Sequence, residues 1–509
     1  MTTDPRLLPP AWSAASPGRR HRARMRVFVL VCLPLALFYF AWLLDPARIG
    51  NPVLYVVLIA AELFNLMQAV GFWWTCTSER SRPPLGLAGE HPDVDVLVPV
   101  YDEPVDIVEP TIAGARRMHG ARVHVWLLDD GDRDEMRALA SRHGAGYLRR
   151  RRHTGAKAGN INHALRRTRS PIVVVLDCDH VPQPRFLQAT LGHLCAPDVA
   201  FVQTPQCYAN AGTGTLAAAA WSQQALFFGA IARGKDGQDA MFCCGTNVVF
   251  KRAALEDAGG FPEGSVTEDF ELSVKLHERG WRSAYVPEVV AQGLGPEDMA
   301  SYVGQQHRWA RGCLGAIGAV LRARLPLRMR VQYLLSCSYF LTGWTVLAYM
   351  LFPVVRILTG AQPLAGAASD QFLLHFAPYF GMALSMVAMV GAGAYTFRAF
   401  ALQSASFWIH VHASVLALLR RPGSFKVTPK RGAEGRQPRA MLPSLAAAGA
   451  LLCVAVLGLA QRHDPSTLNN VAFALVHLTV LSFGVAPALR AARRPAAEIA
   501  APASERLAA

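Results

Sequence analysis

The stretch PIVVVLDCDHVP, residues 171–182, decides the fold of the central part of the chain. Its short run of β-branched apolar residues, bounded by prolines, predicts a buried strand. Asp177 and Asp179 follow the run directly, and alternate residues of an extended segment point the same way. Two such carboxylates repel each other unless a cation lies between them or one is protonated. We therefore expect Asp177 and Asp179 to hold Mg²⁺ or Mn²⁺ together with a phosphate-bearing ligand.

Three other segments have the same character as this strand. Residues 93–104, 123–132 and 200–206 are short apolar runs, and helical stretches separate them. This alternation predicts an open, largely parallel α/β sheet, in which ligands bind beyond the carboxyl ends of the strands. A single acidic residue after a strand usually makes a turn or a helix cap, but repetition along one edge predicts a polar site. Besides the pair above, the acidic residues at this edge are Asp102, Glu103, Asp129 and Asp130.

Six apolar runs lie outside this region and predict membrane helices. The 509 residues are 52% hydrophobic and only 17% charged, and about 20 apolar residues are enough to cross a bilayer. Arginines between 19 and 26 precede the first run, which places the N-terminus in the cytoplasm. The predicted order is a basic cytosolic N-terminus (1–26), two spans (27–78), a cytosolic domain with interfacial helices (79–331), two spans (332–397), a cytosolic segment (398–440), two spans (441–489) and a cytosolic tail (490–509).

Residues 399–419 are apolar enough for a seventh span. That span would place the basic residues 420–440 outside, against the charge rule, so a helix at the inner membrane face is the better prediction. The formal net charge of +15 comes mainly from such cytoplasmic flanks. Acidic lipid headgroups are therefore the expected partner. Nucleic acid is not expected, because basic stripes with interleaved aromatic residues are missing.

Two segments of the central region could supply further chemistry. In HTGAKAGNINHAL (153–165), Lys157 and two glycines precede a helical stretch, which suits either a phosphate or an ordinary loop. In FPEGSVTEDFELSVKLHERGW (261–281), Thr267 is a reasonable N-cap for a helix with acids in its first turn. The alternative to a merely well-capped helix is that Asp269 acts as a general base toward an attacking hydroxyl.

A third segment, GQQHRWARG (304–312), precedes the third apolar run. Gln305, Arg308 and Trp309 lie at i, i+3 and i+4, on one helix face. Arg308 could clamp a diphosphate, and Trp309 offers a flat face to a sugar ring. The alternative is a juxtamembrane helix with an interfacial Trp and a snorkelling Arg.

Taken in order, DDG, DCD, TED and QQHRW resemble the motifs of the processive, membrane-embedded family 2 inverting glycosyltransferases. The resemblance runs through about residues 90–312. It implies a GT-A nucleotide-sugar domain, a UDP-sugar donor, a growing polysaccharide as acceptor, and Mg²⁺ or Mn²⁺ as cofactor. The implied product is a β-linked polysaccharide that the membrane helices translocate.

The resemblance also assigns roles to individual residues. It implies that Asp130 contacts the nucleotide, that Asp177 and Asp179 bind the metal and diphosphate, that Lys157 lies at the diphosphate, and that Asp269 is the catalytic base. Gln305 and Arg308 would hold the diphosphate, and Trp309 would stack on the terminal sugar. The remaining implied substrate contacts come from the TED motif and from FCCGTN (242–247): Thr267, Glu268 and, near the acceptor, Cys244.

The loop SFKVTPKRG (424–432) resembles the F-x-V-T-x-K gating loop of the bacterial cellulose synthase catalytic subunits within this family. The matching residues are Phe425, Val427, Thr428 and Lys430, and their implied role is to cover the bound donor and exclude water. The loop favours UDP-glucose and a β-1,4-glucan over a chitin- or hyaluronan-type product.

The chain also departs from the typical member. Only two spans precede the central domain, and the residues after Lys430 leave no room for the C-terminal β-barrel of many relatives. A periplasmic or extracellular accessory subunit is compatible with the resemblance. The alternatives are a non-processive transferase that acts on a lipid carrier, a synthase of another β-glycan (chitin, hyaluronan, curdlan or mixed-linkage glucan), and an inactive scaffold of a polysaccharide export complex.

Overall fold

The computed structural model describes residues 19–80, 82–84, 91–366, 369–391, 393–421, 435–461 and 464–490. Phe425, Val427, Thr428 and Lys430 of the proposed gating loop lie outside these residues. Two helices come first, α1 (Arg19–Leu43) and α2 (Pro52–Thr77). A mixed α/β domain follows them, and further long helices follow the domain.

The α/β domain contains ten strands in two sheets. They are β1 (Asp93–Val100), β2 (Arg122–Asp129), β3 (Gly146–Arg149), β4 (Ile172–Val175), β5 (Val181–Pro182), β6 (Val199–Gln203), β7 (Cys207–Tyr208), β8 (Val248–Lys251), β9 (Arg282–Tyr285) and β10 (Ala291–Gly293). The large sheet has the order β3-β2-β1-β4-β8-β6-β9, and the small one β5-β10-β7.

The helices of this domain connect the strands. They are α3 (Val105–Arg116), α4 (Asp134–Arg142), α5 (Ala156–Leu165), α6 (Phe186–Leu194), α7 (Thr215–Leu226), α8 (Ala232–Gly237), α9 (Arg252–Asp257), α10 (Glu268–Glu278) and α11 (Met299–Arg322). A π-helical turn, Phe227–Ile231, joins α7 to α8.

Both faces of the large sheet are buried, as parallel sheets require. Along β1, Val94, Val96 and Val98 pack into the core cluster on one face, and Leu97 packs into the cluster on the other. The four predicted strands are confirmed as β1, β2, β4 and β6. The neighbouring strands β3, β2, β1 and β4 run parallel, so their carboxyl ends share one edge.

Strand β8 breaks the parallel arrangement, a feature that the sequence did not indicate. It lies antiparallel between β4 and β6, with Val248 opposite both Val175 and Gln203. Because β8 runs in the opposite direction, its first residue lies at the edge where β4 and β6 end. The segment 242–247, which leads into β8, is thereby carried to the same edge as the acidic residues.

The six predicted membrane helices are confirmed, with changed boundaries. Among the described residues, the apolar helices long enough to cross a membrane are Ala23–Leu43, Pro52–Thr77, Leu327–Thr359, Asp370–Gly391, Pro438–Gln461 and Pro465–Leu489. The helices after the α/β domain are α12 (Leu327–Ser338), α13 (Thr342–Thr359), α14 (Ser369–Gly391), α15 (Phe397–Ala405), α16 (Phe407–Leu418), α17 (Leu442–Gln461) and α18 (Pro465–Leu489).

The ambiguous segment 399–419 does not form one long helix. It is divided at Ser406 between α15 and α16, and both are shorter than the length that crosses a bilayer. Within the described residues this segment is therefore not a seventh span. Polar contacts inside the break, such as the Ser406 Oγ bond to the carbonyl of Leu402, accompany the division.

One carboxylate joins the membrane helices to the α/β domain. Asp239, a non-glycine residue with φ +57°, lies 2.7 Å from Arg82 beyond α2 and 2.9 Å from Arg328 on α12. Arg282 on β9 approaches the same carboxylate at 3.8 Å. Close by, Lys235 on α8 donates to the carbonyl of Gln332 at 2.9 Å. These contacts fix the end of α2 and the start of α12 against the domain.

Candidate active site

Residues 177–180 form a turn at the end of β4, which corrects the predicted extended geometry. The amide of His180 donates to the carbonyl of Asp177 at 2.9 Å, so the segment folds back on itself. The turn nevertheless brings the two carboxylates together. Ligand atoms of Asp177, Asp179 and His180 all lie within 4.8 Å of one another.

His180 is a site residue that the sequence reasoning missed. Its Nδ1 lies 3.3 Å from Asp179 Oδ1, and its buried Nε2 makes no hydrogen bond within the described part of the chain. Imidazole nitrogen is a common metal ligand, and two carboxylates complete a donor set that suits a divalent ion. The signal in the sequence that could have identified His180 was its position directly after the D-x-D pattern.

Lys157 lies in the first turn of α5, whereas the sequence placed it ahead of the helix. Gly155 (φ +74°) and Ala156 (φ +45°) turn the chain into α5 just before it. Its Nζ donates to Asp177 Oδ1 at 2.5 Å and to the carbonyl of Gly245 at 2.7 Å. Burial alone would lower the pKa of Lys157, but the surrounding carboxylates, led by Asp177, raise it above its ordinary value. Lys157 is therefore a cation at the centre of an acidic cluster.

Glu268 and Asp269 begin helix α10, where Glu268 is buried and Asp269 is half-buried. Burial raises the pKa of Glu268 to about 7, and the neighbouring Asp269 adds to the shift. Burial also raises the pKa of Asp269, while its bond from the Phe270 amide and the charges of Lys157 and Arg308 oppose that shift. A carboxylate with a raised pKa is a better proton acceptor, which is the property a general base needs.

The predicted cap of this helix is wrong in its hydrogen bonding. Thr267 occupies the N-cap position, but its side chain makes no capping bond. Its Oγ1 is buried and makes no hydrogen bond to the described residues. The methyl and hydroxyl of Thr267 instead lie against Gly312 of α11, where an added Cβ would collide with them. Close packing between α10 and α11 has replaced the cap.

The segment FCCGTN lies beside these acids. Both backbone groups of Cys244 are hydrogen-bonded. Its amide donates to Gln203 Oε1 at 2.8 Å, and its carbonyl accepts from Gln206 at 2.6 Å. Gly245 has φ +81°, and a Cβ there would lie 2.9 Å from Asp269 Oδ2. Glycine at this position therefore allows the segment to approach the candidate base.

The acidic residues at the other strand ends divide into two groups. Asp129 accepts from the amides of Gly131 and Arg133, and Glu103 accepts from the amide of Tyr101, so both shape local turns. Asp130 differs from them in its partner, and like Glu103 it lines the cavity described below. Its two oxygens accept from the guanidinium of Arg150, at 2.6 and 2.5 Å.

A continuous cavity of about 2400 Å³ joins the predicted site residues. The site residues that line it are Asp130, Lys157, Asp177, Cys244, Thr267, Glu268, Asp269, Gln305, Arg308 and Trp309. Gln305, Arg308 and Trp309 face it from α11, as their spacing predicted. Asp179 does not line the cavity, but His180 beside it does.

The same cavity continues between the membrane helices. Glu62 and Asn65 of α2 and Tyr349 of α13 line it. The Tyr349 hydroxyl donates to Glu62 at 2.9 Å and accepts from Asn65 at 2.8 Å. Glu62, the acidic residue inside the second span, therefore accepts a hydrogen bond from another helix and also lines the cavity.

Comparison with known proteins agrees with this geometry. Residues 172–396 match the family described as "Glycosyl transferase family group 2". The chain is 31% identical over 484 residues to "Cellulose synthase 2" of Novacetimonas hansenii, which covers 89% of this chain and 30% of that protein. It is also 31% identical over 452 residues to the "Cellulose synthase 1 catalytic subunit" (UDP-forming) of Komagataeibacter xylinus, covering 82% and 59% respectively. The chain thus spans less than two thirds of the length of these relatives.

A solved structure shares the fold. The mannosyltransferase PcManGT from Pyrobaculum calidifontis, in complex with GDP-Man and Mn²⁺, superimposes with a TM-score of 0.53 at 18% identity. The match covers 72% of this chain and 99% of that one. The α/β domain accordingly has the GT-A fold, and the six apolar helices make the chain a multi-pass membrane protein. Residues 172–396 are thus similar to family 2 glycosyltransferases, and bacterial cellulose synthases are among the relatives of the chain.

Proposed function

We propose that this protein is a processive, inverting glycosyltransferase that polymerises UDP-glucose into a β-1,4-glucan and translocates the product across the membrane. The observation that carries the proposal is the continuity of one cavity, which runs from Asp269 to Glu62 and Tyr349 between the membrane helices. A transferase that released a small product to water would not need this connection. The names of the curated relatives support the choice of glucose and of UDP.

The chemistry is a single in-line displacement. The acceptor hydroxyl gives its proton to Asp269 and attacks the anomeric carbon of the donor sugar, and the bond from that carbon to the UDP oxygen breaks. An α-linked donor then gives a β-linked product. Arg308 and Lys157 face the cavity as cations and stabilise the charge on the leaving diphosphate.

Binding assignments follow from the walls of the cavity. Asp130 contacts the nucleotide, and Gln305 joins Arg308 at the diphosphate. Trp309 stacks on the terminal sugar of the growing chain, a contact that a flat aromatic face favours. Cys244 lies at the acceptor, held in place by Gln203 and Gln206. Thr267 and Glu268 complete the wall beside the base.

The residues present fit a divalent cation. Asp177, Asp179 and His180 would hold Mg²⁺ or Mn²⁺, and the unbonded buried Nε2 of His180 is the observation that favours a metal there. When bound, the ion neutralises the charge of the diphosphate. Mn²⁺ suits the imidazole nitrogen better than Mg²⁺ does, because Mg²⁺ prefers oxygen ligands.

Orientation in the membrane is part of the proposal. Positive charge places both termini and the α/β domain in the cytoplasm, where a UDP-sugar is available, and acidic lipid headgroups face the basic flanks. A periplasmic or extracellular accessory subunit would receive the polymer outside. The loop with Phe425, Val427, Thr428 and Lys430, outside the described residues, is assigned to covering the donor by its sequence alone.

The test uses inverted membrane vesicles, radiolabelled UDP-glucose and Mg²⁺ or Mn²⁺. We expect insoluble polymer that a β-1,4-glucanase degrades and that the D269N variant does not make. Label in an organic-soluble fraction would favour transfer to a lipid carrier instead. Polymer made only from another UDP-sugar would indicate a different β-glycan, and no incorporation from any donor would favour an inactive scaffold.

A further inference from the structure

Arg150, directly after β3, is a buried arginine that does not line the cavity but contacts residues that do. It is 7% exposed and holds the carboxylate of Asp130 through two hydrogen bonds. The same guanidinium donates to the carbonyl of Thr154 at 2.5 Å and to that of Ala156 at 2.9 Å. The Arg150 side chain therefore binds both Asp130, which we assign to the nucleotide, and the loop that leads to Lys157.

The loop at residues 154–156 needs such support. Ala156 has φ +45°, a conformation that L-residues other than glycine adopt at a cost. The N-cap position of α5 is Gly155, which provides no side-chain cap. The bonds from Arg150 to two carbonyls of this turn hold its backbone and fix the direction in which Lys157 leaves the helix.

Gly159, on the first turns of α5, shows how closely the parts fit. A Cβ at this position would lie 2.6 Å from Arg150 Nη1 and would collide with the carbonyl oxygen of Thr154. Space for the guanidinium thus depends on a glycine one turn into the helix.

We propose that Arg150 is a positioning residue that holds Asp130 and the Lys157 loop as one unit, so that the nucleoside and the diphosphate of the donor are bound together. The inference rests on the proposed function, because that function assigns Asp130 to the nucleotide and Lys157 to the diphosphate. Arg150 acts only through these two elements. Its planar fork satisfies two carboxylate oxygens and two carbonyls, a geometry that lysine cannot reproduce.

The chain contains a matched control at the other end of α5. Arg252 is also 7% exposed and bonds a buried aspartate, Asp95, at 2.8 Å. It also donates to the carbonyls of Leu165 and Ser170, at 3.0 and 2.6 Å. The two arginines thus have the same exposure and the same kinds of partner, but only Arg150 binds elements of the cavity wall.

The experiment measures binding of UDP and UMP, each with Mn²⁺, to the full-length protein in detergent. We expect R150K to weaken UDP binding about 10- to 100-fold, and UMP binding less, because only UDP spans both held elements. R252K should leave both affinities within about twofold at a temperature where it is folded. With radiolabelled UDP-glucose, R150K should raise KM far more than it lowers kcat.

A second variant covers the case in which R150K does not fold. G159A keeps both Arg150 and Asp130 but displaces the guanidinium and the Thr154 carbonyl that it holds, and alanine is otherwise favourable inside a helix. We expect it to weaken UDP binding more than UMP binding, in the same direction as R150K.

Three outcomes would overturn the inference: unchanged UDP affinity in R150K or G159A, an equal loss for UDP and UMP, or an equal loss in R252K. These binding measurements need no turnover, so a failure of this inference can be distinguished from a failure of the proposed function. A wild-type protein that binds UDP without making polymer would contradict the function and still test Arg150. A wild-type protein that binds GDP in place of UDP would move the same comparison to GDP and GMP.

Discussion

The two ends of helix α5 hold buried charge in opposite ways. At its C-terminal end, Arg252 and Asp95 form a cluster with the amide of Ser170 and the hydroxyl of Thr168, and the described neighbours supply partners to both charged groups. At its N-terminal end, Lys157 faces three carboxylates, two of them with raised pKa values. A cluster of balanced charge contributes to folding, whereas a crowded cluster with three carboxylates around one cation is suited to binding a cationic or metal-bound ligand.

The largest expected effect tests the crowded end. D269N removes the proton acceptor while keeping the shape of the side chain, so we expect kcat to fall about 10³-fold. Thermal stability should stay equal or rise, because a partly desolvated charge is removed. Activity in vesicles and thermal unfolding check both parts.

The matched control for this variant is E271Q on the same helix. Glu271 accepts from Ser265 at 2.8 Å and does not line the cavity. Activity in E271Q should be near that of the wild type. An equal loss in both variants would mean that the helix, and not the base, had been damaged.

The second effect tests the end with balanced charge. D95N leaves the Arg252 guanidinium buried without its counter-charge, and we expect a loss of about 3–5 kcal/mol in the free energy of unfolding. The KM for UDP-glucose of the folded fraction should not change. A large KM effect in D95N would break the distinction between the two ends, since Asp95 lies far from the cavity edge of the sheet.

A third, smaller effect concerns the metal. H180A removes a nitrogen ligand while leaving both aspartates, so the Mn²⁺ concentration for half-maximal activity should rise about 10- to 100-fold. His277 is the control, because it is a buried histidine whose two ring nitrogens contact Ser283 and Tyr333. Substituting His277 should reduce stability without changing the Mn²⁺ requirement, and the opposite result would remove His180 from the site.

The smallest effect is a shift of a pH profile. The base must be deprotonated to accept a proton. Glu268 and Asp269 both have raised pKa values, that of Glu268 being about 7. We therefore expect kcat/KM to fall as the pH drops through the range in which this pair of acids becomes protonated. Lys157 lowers the pKa of each acid, so K157M should move this acid limb to higher pH. The measurement is kcat/KM from pH 5 to 9, and a limb that stays in place would show that Lys157 does not act on the pair.

The sequence identified four of the ten strands, β1, β2, β4 and β6, together with the site motifs, because apolar β-branched runs and the residues after them are local signals. What it missed depends on neighbours that are distant in the chain. The direction of β8 is set by pairing with β4 and β6, and no periodicity encodes it. The Thr267 side chain does not cap helix α10 because it packs against Gly312 of α11. Arg150 lies in the basic run RRRR (149–152), and only the fold shows which of these arginines is buried.

The three arginines around Asp239 have a mechanical consequence. Under the proposed function, a glycan pushed outward through the membrane helices would exert an equal force back on the domain that extends it. Arg82, Arg328 and Arg282 meet at one carboxylate, between the end of α2, the start of α12 and strand β9. Tilting the domain against the helices would stretch the ion pairs of Arg82 and Arg328 together, while Arg282 holds Asp239 from within the domain. The backward force that accompanies the addition of each sugar would therefore be resisted at this joint. The domain would stay in place, and the polymer would move outward.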